Sequence, residues 1–150
     1  MTLLKNKDLV HFLNQTLSNY FVMFVKLHRY HWFVKGNNFF TLHEKFEEMY
    51  NTFGQDIDII AERILMIEGK PYATMEKFLK YATIVEASAD DEEREIISRL
   101  KEDFEHLVQE IKDKGIPAAE EVGDEPTIDM LIGFQSKLEK YLWMLKAYLL

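Results

Sequence analysis

The chain places side chains that bind transition metals at intervals through its first half: His31, His43, Glu47, Asp58 and Glu62. His31 and His43 flank the turn signal Gly36-Asn37-Asn38, one in the last helical turns before it and the other in the first turns after it. Antiparallel packing of these two segments brings both imidazoles to one end of a hairpin. Asp58 and Glu62 stand one helical turn apart among Ile57, Ile59 and Ile60, with Arg63 following. Two carboxylates among apolar neighbours need a cation, and an ion pair with Arg63 is the simple alternative to a metal. Imidazole and carboxylate ligands without thiolate suit Fe(II), Mn(II) or Zn(II), and spacing does not choose among them.

Distance decides how such a site forms. On a continuous helix His43 and Asp58 lie ~22 Å apart at 1.5 Å per residue, too far to share an ion within one subunit. A second copy packed about a two-fold axis places His31 and His43 of one chain beside Asp58 and Glu62 of the other, and does so twice. Gly54 fits this picture, because a mid-helix Gly costs ~1 kcal/mol relative to Ala and is easiest to explain where another backbone comes close. At 100° per residue, Glu44, Glu48, Asn51, Gln55, Asp58 and Glu62 share one stripe, for which a solvated face is the plain alternative. His11, His28 and His106 read as structural histidines. No His has Glu three residues before it, so the Glu-x-x-His pair of the usual di-iron carboxylate bundle is absent.

The elements that hold these residues are helical. Leu9, Phe12, Leu13, Leu17, Tyr20, Phe24 and Leu27 recur at steps of three or four through Leu9–Val34, with Asp8 in the first turn. Leu42, Phe46, Met49, Phe53, Ile57, Ile60, Ile64 and Ile67 form a second stripe from Phe39 to Glu68, closed by Gly69-Lys70-Pro71. Thr74–Tyr81 is a short amphipathic piece inside a long connection. A third helix starts near Ser88–Asp91, carries Ile96, Ile97, Leu100, Phe104, Leu107, Val108 and Ile111, and is expected to stop at Gly115. The fourth starts at Asp124 with Pro126 in its first turn and carries Ile128, Leu131, Ile132, Leu138, Leu142, Leu145 and Leu149. The three-residue break makes the first two helices antiparallel neighbours, whereas residues 69–87 are long enough to cross the bundle. The expected fold is all-α, a ferritin-like four-helix bundle with a short helix in the crossover, spanning 1–150 as a single domain.

Composition narrows the function. The 150 residues hold 26 Asp and Glu against 18 Lys and Arg, a net charge of -8 that opposes the counterion release driving nucleic-acid binding. There is no Cys, which excludes thiol catalysis, thiolate metal sites and disulfides. The longest apolar run, Tyr20–Val25, is too short to span a bilayer, and Met1–Val10 lacks a signal-peptide core, so a cytoplasmic protein is expected.

The segments His31-Trp32, Asn38-Phe39-Phe40-Thr41-Leu42-His43 and Asp58-Ile59-Ile60-Ala61-Glu62-Arg63 resemble the signature of the Dps family, or miniferritins. The likeness continues through Gly123-Asp124-Glu125 and Asp129-Met130-Leu131 to the Trp143 region. It implies a hollow homododecamer in which Fe(II) binds at two-fold interfaces, is oxidised preferentially by hydrogen peroxide and is stored as ferric mineral, a ferroxidase and oxidative-stress function. By this resemblance His31 and His43 ligate iron from one subunit and Asp58 and Glu62 from its partner. Glu47 takes the place of a further carboxylate for a second iron, where relatives often have Asp. Trp32 matches a site-proximal aromatic implicated in electron transfer, with simple packing as its alternative. Glu44 and Glu48 would face the cavity and seed mineral, and Glu120, Glu125 and Asp129 match acidic positions lining three-fold pores. The run Asp90-Asp91-Glu92-Glu93 is assigned no function beyond favouring a helix N-terminus. Relatives that condense DNA carry Lys/Arg-rich tails, whereas only Lys5 and Lys7 precede the first helix here, so direct DNA binding is not expected. A DNA-compacting nucleoid protein and a non-catalytic helical interaction module are the competing readings.

Overall fold

A computed structural model describes residues 3–88 and 92–150, with side chains from residue 6 onward. Helices α1 (Leu3–Phe33) and α2 (Phe39–Met66) form one antiparallel hairpin. A crossover carrying α3 (Met75–Tyr81) leads to α4 (Glu93–Glu110), which packs antiparallel to α6 (Glu125–Leu149). This is the expected all-α, ferritin-like bundle with its short helix in the crossover. Its core is the set of stripes legible in the sequence: Leu9, Leu13, Leu17, Tyr20 and Leu27 on α1 meet Phe46, Met49, Phe53 and Ile60 on α2, Leu100 and Phe104 on α4, and Leu138 and Leu142 on α6. On α6, however, Ile132 is exposed and Phe134 fills the core instead, its ring 5.7 Å from that of Tyr20.

The helix expected to stop at Gly115 does not. The chain runs from α4 through a π-turn (Ile111–Gly115) into α5 (Ile116–Glu121). Pro117 explains the irregularity, since in a regular α-helix its ring would collide with the carbonyl four residues back. The wider turn, closed by a bond from Ile116 N–H to Ile111 C=O, makes room for it. Gly115 keeps a right-handed φ of -69, so it is no C-cap. A Cβ there would lie 2.5 Å from the Phe12 ring, and the residue is Gly because α1 packs against it.

Helix α2 ends in a paired closure. Gly69 N–H donates to Ile64 C=O at 2.8 Å and Glu68 N–H to Leu65 C=O at 3.0 Å. The left-handed residue is Glu68 (φ 68), while Gly69 is small because a Cβ would press on Val10 and Ile64.

Three buried polar residues of α1 tie down the crossover. Asn14 donates to Lys70 C=O and accepts from Tyr72 N–H. The Asn19 side-chain oxygen accepts from Thr83 and Ile84 N–H, and its amide donates to Thr83 and Glu110. Lys26 donates to Val85 C=O and pairs with Asp103 at 2.6 Å. Burial raises the Asp103 carboxyl above its ordinary value even though Lys26 pulls it down.

The acidic run before α4 has more structure than expected. Asp90 and Asp91 lie outside the described residues, but Glu92 caps α4 by accepting from Arg94 and Glu95 N–H. Glu93 accepts from the Tyr148 hydroxyl at 2.6 Å and from both the backbone and amide N–H of Asn38. It clamps the 36–38 turn between the two hairpins, and Gly36 (φ 143) gives it room, since a Cβ would meet the Glu93 carboxylate.

Candidate metal centre

The turn that reverses the chain between α1 and α2 brings His31 and His43 face to face, with ring centroids 3.6 Å apart and planes 12° from parallel. Each imidazole donates from Nδ1 to the other residue's backbone carbonyl, both at 2.6 Å. A carbonyl only accepts, so both Nδ1 atoms carry the proton and both Nε2 atoms keep their lone pair in the neutral ring. Phe39 stacks on the outer face of His43 at 5.1 Å, and Tyr50 meets His31 edge-on at 5.4 Å. The rings therefore cannot turn without breaking both hydrogen bonds and the stack, which is the fixed tautomer and orientation that a metal-ligating His requires.

Glu47 lies one turn beyond His43 with Oε1 3.7 Å from Nε2 of His31, too long for a hydrogen bond. A gap of this length leaves room for a cation that both atoms would hold. The His31 side chain is 8% exposed and that of Glu47 54%, which leaves the pair open on one side only.

Asp58 and Glu62 lie further along the same unbroken helix and are exposed. The simple alternative for them fails: Arg63 turns away, bonding Asp124 at 2.7 Å and Thr127 at 2.9 Å. Neither carboxylate has an ion pair or side-chain hydrogen bond among the described residues. Asp58 borders a shallow apolar cleft with Phe21, Ile57, Ala61 and Tyr72, and Leu65 and Met66 are exposed on the following turn. Among the described residues no three acidic or histidine side chains of one chain surround a single point. The candidate residues thus fall into two separated groups, one at the turn between α1 and α2 and one further along α2, as the sequence distances required.

Other candidate residues fall as follows. Trp32 is 64% exposed and packs beside His28, not His31. His28 is structural: Nδ1 donates to Phe24 C=O and the ring stacks on Tyr50 at 3.7 Å. His106 pairs with Glu110 and Thr83. Gly54 faces the Phe24 ring of its own chain, 3.0 Å from where a Cβ would sit, so its smallness answers α1 rather than a partner's backbone. Glu44 and Glu48 are exposed on α2, Glu48 beside Lys45 at 3.0 Å. Glu120, Glu125 and Asp129 are all exposed around the turn from α5 to α6. The buried Asn14, Asn19 and Lys26 were invisible in the sequence, where they interrupt an apolar stripe without any motif.

The fold and the histidine pair define a ferritin-like protein. A ferritin-like domain model matches residues 10–150. General stress protein 20U of Bacillus subtilis (strain 168) is 46% identical over 144 residues, covering 96% of this chain and 99% of that one. DNA protection during starvation protein 2 of Bacillus anthracis is 45% identical over 144 residues, covering 96% and 98%. The crystal structure of a Dps protein from Bacillus brevis superposes with a TM-score of 0.96 at 43% identity, covering 100% of both chains. The chain belongs to the Dps family of ferritin-like proteins.

Proposed function

We propose that the protein is an iron-sequestering ferroxidase that oxidises Fe(II) with hydrogen peroxide at sites shared by two subunits and stores the ferric product as mineral inside a homododecamer. The observation that carries this reading is the reciprocal pair of Nδ1 hydrogen bonds, which fixes both histidine rings and leaves Nε2 as the ring nitrogen with a lone pair to offer. Family membership supports iron as the metal, and Zn(II) or Mn(II) would fit the same donors. His31, His43 and Glu47 of one chain, with Asp58 and Glu62 of its neighbour, hold the substrate ions. The imidazoles bind without adding charge, and the carboxylates offset the charge of Fe(II) and favour Fe(III), a harder ion.

The chemistry follows from electron counting. Two Fe(II) give one electron each to one H₂O₂, which with two protons leaves as two waters. Holding the ions as a pair avoids one-electron cleavage of the O–O bond, which would release hydroxyl radical. Glu120, Glu125 and Asp129 form the acidic entrance for Fe(II), Glu44 and Glu48 seed mineral, and Trp32 is the aromatic near the site that takes part in electron transfer. The proposed setting is the cytoplasm, with the chain as a single domain over 1–150. No described helix is long and apolar enough to cross a membrane. DNA binding as the primary function is disfavoured by the net charge of -8, although relatives carry names of DNA protection.

The test is anaerobic loading with Fe(II), then addition of peroxide, following ferric absorbance and the Fe:H₂O₂ ratio. Wild type should consume two Fe(II) per peroxide, and His31→Ala or Asp58→Ala should slow the fast phase at least tenfold. Unchanged kinetics in both variants would favour the non-catalytic bundle instead.

A further inference from the structure

Beside Glu48 on α2, a cleft opens against α6 and brings Lys45, Lys137 and Lys140 together over Thr52 and Tyr141. Three of the 18 basic residues of an acidic chain converge there from two helices. Their positions in the charge balance differ. Lys137 spends two of its three donors on Asp56, with both oxygens at 2.7 Å. That carboxylate is nearly buried, and burial raises it above the ordinary value despite the lysine. Lys45 reaches Glu48 at 3.0 Å. Lys140 makes no ion pair among the described residues and is exposed. The floor is neutral and closed, because Thr52 donates to Glu48 C=O and its oxygen lies 3.3 Å from the Tyr141 hydroxyl.

Three ammonium groups against the two carboxylates, Asp56 and Glu48, leave one positive charge and unspent N–H donors around a concave opening. We propose that this cleft is a phosphate-class oxyanion site, and that it holds the inorganic anion which accompanies Fe(III) in the mineral. The mineral role rests on the proposed function; the anion site does not. The pairing of lysines with Glu48 at one rim suits a ferric ion and its counter-anion together, since the carboxylate takes the metal and the ammonium groups take the oxyanion. The same mixture of signs works against a nucleic-acid backbone, which needs a continuous basic surface and brings no cation for Glu48.

The experiment uses the assembled, iron-free protein and inorganic phosphate, read by ³¹P line broadening. Wild type should broaden the resonance saturably with one site per chain. Lys45→Gln with Lys140→Gln, both on the surface, should weaken binding at least fivefold. The same charge change at Lys77 and Lys101, far from the cleft, should leave it within twofold. No saturable broadening, or equal loss in both double variants, overturns the site. Displacement of phosphate by a short DNA duplex as efficiently as by sulfate overturns the small-anion assignment. Loss of peroxide-driven iron oxidation in wild type would defeat the ferroxidase reading alone, because the phosphate titration contains no iron.

Discussion

At the scale of single residues, the two glycines most easily read as punctuation are packing residues. Gly115 and Gly69 both sit where another side chain touches the backbone, and the left-handed turn after α2 falls to Glu68. A non-Gly residue in that region is strained by contact between its Cβ and the following carbonyl. Glu68 is exposed and makes no side-chain hydrogen bond among the described residues, so Glu68→Gly should stabilise the protein by ~0.5–1 kcal/mol. That is a rise of roughly 1–4 °C in thermal midpoint for a chain of this size. Gly115→Ala should act oppositely, since its Cβ would fall 2.5 Å from the Phe12 ring, which is held in the core. A loss of ~1–3 kcal/mol in chemical denaturation is expected, and a neutral result would show that α1 yields there. Sequence alone could not separate these roles, because a helix stop and a close approach both call for the same residue.

At the scale of elements, the four long helices and the crossover were legible because their apolar positions repeat at three and four, which is the period burial imposes. The joints between them were not, because they depend on polar partners distant in sequence. Glu93 is the clearest case: 55 residues separate it from both Asn38 and Tyr148, yet it joins the turn of one hairpin to the ends of the other. The Tyr148 hydroxyl, and after it the Asn38 donors, hold the Glu93 carboxyl below the ordinary glutamate range. A carboxyl with a depressed folded pKa contributes stability that is present above its unfolded pKa and disappears as pH falls through the folded one. Thermal midpoints measured between about pH 6 and pH 3 should therefore show wild type above Glu93→Gln at the upper end, the gap closing as acid protonates Glu93. Asp56 and Asp103 shift the other way and are common to both proteins, so the comparison removes them. Arg63 makes a second joint, from α2 to the first turn of α6. Removing it leaves the buried Asp124 with only its Thr127 donors and no cation, and Arg63→Ala should cost ~2–3 kcal/mol without altering the acids that precede it on α2.

At the scale of the whole molecule, the histidine pair and the Asp58–Glu62 pair pose a geometric problem that one chain cannot solve. His43 and the Asp58–Glu62 pair share one helix of 28 residues, with His31 held against His43, and rotation of side chains cannot close ~20 Å. The sequence disclosed this separation as plainly as the structure does, because it needs only the helix rise. What it could not disclose was that Arg63 is committed elsewhere, leaving both carboxylates without a cation of their own. If the halves meet across a two-fold axis, mixed assemblies should recover activity that each parent lacks. His31→Ala leaves the carboxylate half intact, and Asp58→Ala leaves the imidazole half intact. Each interface between the two variants then contains one complete site and one doubly defective site. Random co-assembly makes half of the interfaces mixed, so about a quarter of all sites should be complete. Dissociating and reassembling an equal mixture should therefore restore about a quarter of the wild-type fast phase of peroxide-driven iron oxidation. Reassembling either variant alone should restore none. A mixture no faster than its parents, with mixed assembly verified by mass, would place the site within one chain and would remove the reason that Asp58 and Glu62 stand unpaired on the surface of α2.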